Sequence, residues 1–146
     1  MNDSGRGKAS NPKLKNLGEA LVSVVDDDRL MRSSTRRLLL ADGFRVEAFA
    51  SAEEFLASGL VEETACLILD LRMPGMNGLE LQCRLAGDFN LFPIIFLSAH
   101  GSADDERRAL RAGAVEFLQK PVDKDVLLLA IRNALKTPSD DEGKIL

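Results

Sequence analysis

Five short apolar runs punctuate the chain, and each is followed by apolar residues at helical spacing. ALVSVV (20–25) is apolar and β-branched, and FRVEAF (44–49) alternates as a strand with one wetter face would. CLILD (66–70) is continuous and stops at an acid, PIIFLS opens at Pro93, and AVEFLQ spans 114–119. These read as strands. Between them, apolar Leu30, Met31, Leu38 and Leu39 predict a helix over 29–41, ending before Gly43. Ser51 with Glu54 forms a capping box opening a helix to about Ser58. MPGMNG is a turn, after which Asn77 caps a helix to about Leu85. Ser102 and Asp105 begin another, ending at Ala112 and Gly113; Lys120-Pro121 breaks the fifth strand, and Asp123 caps a last helix to about Lys136.

Strands alternating with helices predict an α/β fold: a mostly parallel sheet of five strands with helices on both faces. Three of the strands are apolar throughout, as central parallel strands should be. Right-handed crossovers bring the C-terminal ends of all strands to one edge, where such folds bind ligands. Residues 20–136 form the domain. Residues 1–19 are polar, with Gly, Ser, Asn and Pro, and are expected to be a flexible arm; residues 137–146 read as a frayed tail.

Composition narrows the options. The chain has 146 residues, enough for one well-cored domain, and a net charge of −4. That argues against a protein-wide nucleic-acid surface, and with no Trp or Tyr an aromatic platform for stacking bases is poorly supported. Cys66, Cys83 and His100 are too few and too scattered for a structural zinc site. The two cysteines read as buried free thiols in a reducing compartment. No run approaches the roughly 18 apolar residues of a membrane span. A cytoplasmic protein without membrane contact is expected.

The chemistry lies at the strand ends. The first strand runs into Asp26, Asp27 and Asp28; the third ends at Asp70; the fourth at Ser98, followed by Ala99 and His100; the fifth at Lys120. Two like charges about 4 Å apart repel by roughly 4 kcal/mol at an effective dielectric near 20. Clustered acids therefore need counter-charge. Lys120 and a hard divalent cation such as Mg²⁺ supply it, since carboxylate oxygens are natural ligands for such ions. Asp70 then suits nucleophilic attack on phosphorus, and Ser98 a hydrogen bond to a phosphoryl oxygen. A solvated turn that caps the first helix is the plain alternative for the three acids. No Walker A or GxGxxG pattern points elsewhere.

VVDDD, LILDLRMPGMNGLEL, PIIFLSAHG and AGAVEFLQKPV, in that order, resemble the receiver domain of two-component response regulators. The wording is nearest to receivers of the LuxR-type regulator class. The resemblance spans about 20–136. It implies a flavodoxin-like fold with strand order 2-1-3-4-5. It implies that Asp70 is the phosphoacceptor and that Asp27, Asp26, Asp70 and the backbone carbonyl of Arg72 bind Mg²⁺. Ser98 would be the switch hydroxyl, Phe117 the switch aromatic and Lys120 the phosphate-pairing lysine, in a Lys-Pro peptide that is typically cis. Asp28 would be a first-turn acid and not a ligand. The donor would be a sensor histidine kinase or phosphotransfer protein. A downstream protein partner would dock on the face of the fourth helix, fifth strand and fifth helix, where phosphorylation could also produce a homodimer.

Several readings stay open. Phe117 is also explained as plain core, and His100 as a bystander. Alternatively, Arg72 and His100 crowd the water that would hydrolyse the phosphoryl group. Arg107, Arg108 and Arg111 are either a solvated stripe or part of a docking face. A haloacid-dehalogenase-type phosphatase would carry DxDxT after its first strand, where this chain has DDDRL. The expectation is therefore a receiver that catalyses only its own modification, not an enzyme with free substrate turnover. A phosphorylation-independent pseudo-receiver is a second reading. A third is a fragment of a longer DNA-binding regulator. No helix-turn-helix fits in the ten residues after the last helix, so no direct nucleic-acid binding is expected of the chain itself. The short acidic tail favours a stand-alone regulator.

Overall fold

The structure, a computed structural model, describes residues 19–88 and 92–136. Nearly all of the expected N-terminal arm, and the whole C-terminal tail, lie outside the described residues. The elements run β1 (Leu21–Val25), α1 (Arg29–Ala41), β2 (Arg45–Phe49), α2 (Ala52–Ala57), β3 (Thr64–Leu69), α3 (Gly78–Asp88), β4 (Ile94–Ser98), α4 (Ala103–Arg111), β5 (Glu116–Gln119) and α5 (Lys124–Lys136). All strand pairs are parallel, and the sheet order is β2-β1-β3-β4-β5. This is the flavodoxin-like arrangement expected.

Every residue of β1, β3 and β4 is buried. The two-residue repeat of a strand then sorts their side chains between two cores. Val22, Val24, Cys66, Ile68, Ile95 and Leu97 face α1 and α5, packing with Leu39, Leu127 and Ile131. Val25, Leu67, Leu69 and Phe96 face the other way, toward Phe55 of α2, Leu81 and Leu85 of α3 and Ala109 of α4. Covering both faces excludes water from the backbone ladder and leaves only the strand ends open to ligands.

The caps follow the sequence, with adjustments. Ser51 accepts the Glu54 amide, but the Glu54 carboxylate reaches past it to the Ala50 amide. Asn77 and Glu80 bond each other's amides reciprocally, as do Ser102 and Asp105. Asp123 accepts the Asp125 amide at the start of α5. Helix α3 runs three residues beyond Leu85, and β5 starts at Glu116 rather than Ala114. Cys66 is buried in β3 as expected, but Cys83 of α3 is exposed, a correction to the reading of two buried thiols. Leu30 corrects the expected stripe of α1, being 79% exposed. At 100° per residue Met31, Thr35, Leu38 and Leu39 share a face, and Leu30 falls well off it.

Candidate functional site

Register brings the site together. Val25 of β1 pairs with Leu69 of β3, so the next residues, Asp26 and Asp70, leave the sheet side by side. The Asp26 amide donates to the Phe49 carbonyl at 3.1 Å, and the Asp70 amide to the Val25 carbonyl at 2.9 Å. On the next two strands, β4 and β5, Ser98 pairs with Gln119, and the Lys120 amide donates to the Ser98 carbonyl at 2.9 Å. The Lys120–Pro121 peptide is cis.

Asp26 and Asp70 are buried, while Asp27 is exposed at the rim. One carboxylate oxygen from each lies within 4.8 Å of the others. Lys120 Nζ stands 2.9 Å from Asp26 Oδ2 and 3.9 Å from Asp70 Oδ1, its side chain only 9% exposed. Asp26 Oδ1 accepts the Asp28 amide at 2.9 Å, so both its oxygens are engaged. Asp70 Oδ1 accepts the Leu71 amide at 2.8 Å. Burial, then the neighbouring Asp26 carboxylate, push the Asp70 carboxyl up to about 7, against the opposing pull of Lys120. One ammonium does not neutralise three acids, and the donors are all oxygen. The cluster therefore fits a hard divalent cation.

Asp28 takes no part in it. Its side chain is the N-cap of α1, where Oδ1 accepts the Leu30 and Met31 amides at 3.0 and 3.2 Å. Ser98 is buried at the end of β4, with its Oγ accepting the His100 amide at 3.3 Å. Phe117 is buried and stacked on Phe96, ring centroids 5.6 Å apart. The Arg72 guanidinium donates to Asp105 Oδ2, in the first turn of α4, at 2.7 Å. Asp105 is held below its ordinary range, first by the Ser102 amide and, more weakly, by Arg72. Arg107 of the basic stripe pairs with Asp104.

Three contributors carry no sequence signal of their own. Arg32 donates from α1 to the Asp26 carbonyl at 2.8 Å. Gly78 starts α3 where a Cβ would come 2.4 Å from the Asp70 carbonyl oxygen. Gly101 gives room to Phe117, whose Cζ would lie 2.5 Å from a Cβ there. Glycines in a turn and after SAH are visible in the sequence, but the atoms they make way for are not.

An open α/β sheet with acids, a hydroxyl and a lysine at its C-terminal edge defines a receiver-type site. The model of the response regulator receiver domain matches residues 22–132, and the chain belongs to that family. It is 44% identical to nodulation protein W of Bradyrhizobium diazoefficiens over 113 residues, covering 77% of this chain and 50% of that protein. It is 42% identical to the response regulator protein TmoT of Ectopseudomonas mendocina over 118 residues, covering 81% of this chain and 54% of that one. The response regulator StyR superposes with a TM-score of 0.74 at 43% identity, covering 85% of this chain and 63% of the other. The chain thus spans about half the length of the curated relatives it matches. Among the described residues, no helix is long and apolar enough to cross a membrane.

Proposed function

We propose that Asp70 accepts a phosphoryl group from the phosphohistidine of a sensor kinase or phosphotransfer protein. The supporting observation is the difference among the three acids. Asp26 has both oxygens committed to Lys120 and the Asp28 amide, and Asp27 stands at the rim. Asp70 is buried at the end of β3, with Oδ1 fixed by the Leu71 amide. A desolvated carboxylate, held in place, is the better nucleophile.

In the transfer, an Asp70 oxygen bonds to phosphorus while the P–N bond of the donor breaks. The bonding pair stays on the departing imidazole nitrogen. Asp26, Asp27, Asp70 and the Arg72 carbonyl would hold Mg²⁺, which supplies charge neutralisation for the phosphoryl oxygens. Lys120 pairs with the product phosphoryl group, and the Ser98 hydroxyl donates to it. Ser98 then draws the loop after β4 toward Asp70. Because Phe117 occupies the space under Gly101 in that loop, its packing must change with it. The altered face of α4, β5 and α5 is read by a downstream protein or a second copy. The chain turns over no free substrate; it modifies itself and serves as a cytoplasmic signalling switch.

Intact-mass spectrometry after incubation with acetyl phosphate and Mg²⁺ tests this reading. One added phosphoryl group is expected, absent without Mg²⁺ and absent in Asp70→Asn. An unmodified mass with both acetyl phosphate and a phosphohistidine donor would favour the pseudo-receiver instead.

A further inference from the structure

Helix α2 contributes nothing to the acid cluster, yet its first turn touches the site from two directions. On one side it is registered to the β1 acids. The Asp26 amide donates to the Phe49 carbonyl at the end of β2, and the Ala50 amide donates to Glu54 Oε1 at 2.8 Å. On the other side Glu53 leaves the helix for the loop between β3 and α3. Its Oε2 accepts the Met76 amide at 2.9 Å. Gly75, in the left-handed region at φ +76, admits that carboxylate; a Cβ there would come 2.8 Å from Glu53 Oε2. The Met76 amide is the leading cause of a lowered Glu53 pKa, so the tie carries a charged acceptor.

Elsewhere the loop is held by burial of Leu71 and Met73, by the Arg72–Asp105 pair and at its two ends. Leu71 is held by Asp70 at the start, and the Leu71 carbonyl accepts the Gly78 amide at the close. Asn77 and Glu80 cap α3. Between these anchors the backbone at Gly75 and Met76 has Glu53 as its tether from outside the loop.

We propose that Glu53 is a positioning residue for the cation site. From α2 it braces the loop that carries the Arg72 carbonyl against the strand pair that carries Asp26 and Asp27. It binds no ion itself, and its role rests on the cation reading given above. Glu53 is exposed, so its loss should leave the fold intact.

The test is titration of the metal-free protein with Mn²⁺, followed by electron paramagnetic resonance, together with amide exchange at Met76. Partners one shell removed from a metal typically alter its affinity by about 10–100-fold, and a brace on the loop backbone should do less. Glu53→Ala is expected to weaken Mn²⁺ binding about 3–10-fold and to speed Met76 exchange. Glu53→Gln keeps an oxygen acceptor and should hold the affinity within about twofold. Glu63→Ala removes the same charge from a residue paired with Arg45 and should change nothing. Equal weakening in Glu53→Ala and Glu53→Gln would overturn the brace in favour of simple charge. So would unchanged affinity in Glu53→Ala. A wild-type protein that binds no Mn²⁺ would overturn the cation reading itself, and the brace with it.

Discussion

Strands β1 and β3 bury polar side chains at two levels, and the two differ in kind. Toward the start of β3, Ser23 and Thr64 share a hydrogen bond at 2.8 Å, and the Thr64 hydroxyl also donates to the Leu60 carbonyl at 2.9 Å. Both are neutral, fully buried and mutually satisfied. Beyond the other end stand Asp26 and Asp70, charged, adjacent and only partly compensated by Lys120. A closed neutral pair keeps buried polar atoms satisfied at little cost. An acid pair short of positive charge strains the fold and waits for a ligand. The same two strands thus carry one closed neutral polar pair and one acid pair short of positive charge.

Removing Lys120 should widen that contrast most. Lys120→Met leaves the acids uncompensated, and loss of one partner of a buried pair typically costs about 3–5 kcal/mol. The ion-free variant should be destabilised by about that amount at pH 8 in urea melts, with millimolar Mg²⁺ recovering part of the loss. A variant as stable as wild type would mean that Lys120 compensates little.

Asp70→Asn should move stability the other way. The folded carboxyl, at about 7, lies above the ordinary 3.8. Its favourable contribution is therefore complete below the unfolded value and is lost as pH rises through about 7. In EDTA the Asn variant should gain on the order of 2 kcal/mol over wild type at pH 8. The gain should vanish near pH 4. A gain independent of pH would point to packing rather than charge.

The neutral pair should respond modestly and without reference to ions. Thr64→Val strands the Ser23 hydroxyl and should cost about 1–2 kcal/mol. The double variant Ser23→Ala, Thr64→Val should cost less than the sum of its parts, with Mn²⁺ affinity unchanged throughout. Smallest of all is Arg72→Ala. Its side chain is 59% exposed, so loss of the Asp105 pair should shift stability by less than about 1 kcal/mol in the same melts.

Much of this was legible in the sequence because it follows from periodicity. Apolar runs ending in Asp26, Asp70, Ser98 and Lys120 put four chemical groups at one sheet edge from the pattern alone. The cap role of Asp28 was nearly legible, missing only by one position at the helix start. Leu30 misled because apolar character was read without its angular position on α1. The pairing of Arg72 with Asp105 was not legible, because sequence distance says nothing of where a long side chain finds its counter-charge. Arg32, Glu53 and Gly101 act through backbone carbonyls, amides and ring clearances. Such contacts depend on how helices pack on the sheet, and no residue pattern encodes them.

The central claim is that, of three neighbouring acids, Asp70 takes the phosphoryl group. Borohydride reduction of the protein treated with acetyl phosphate and Mg²⁺, followed by peptide mass mapping, tests it most directly, since an acyl phosphate is converted to homoserine where it formed. Homoserine is expected at position 70 alone. Homoserine at position 26 or 27, with Asp70 untouched, would contradict it.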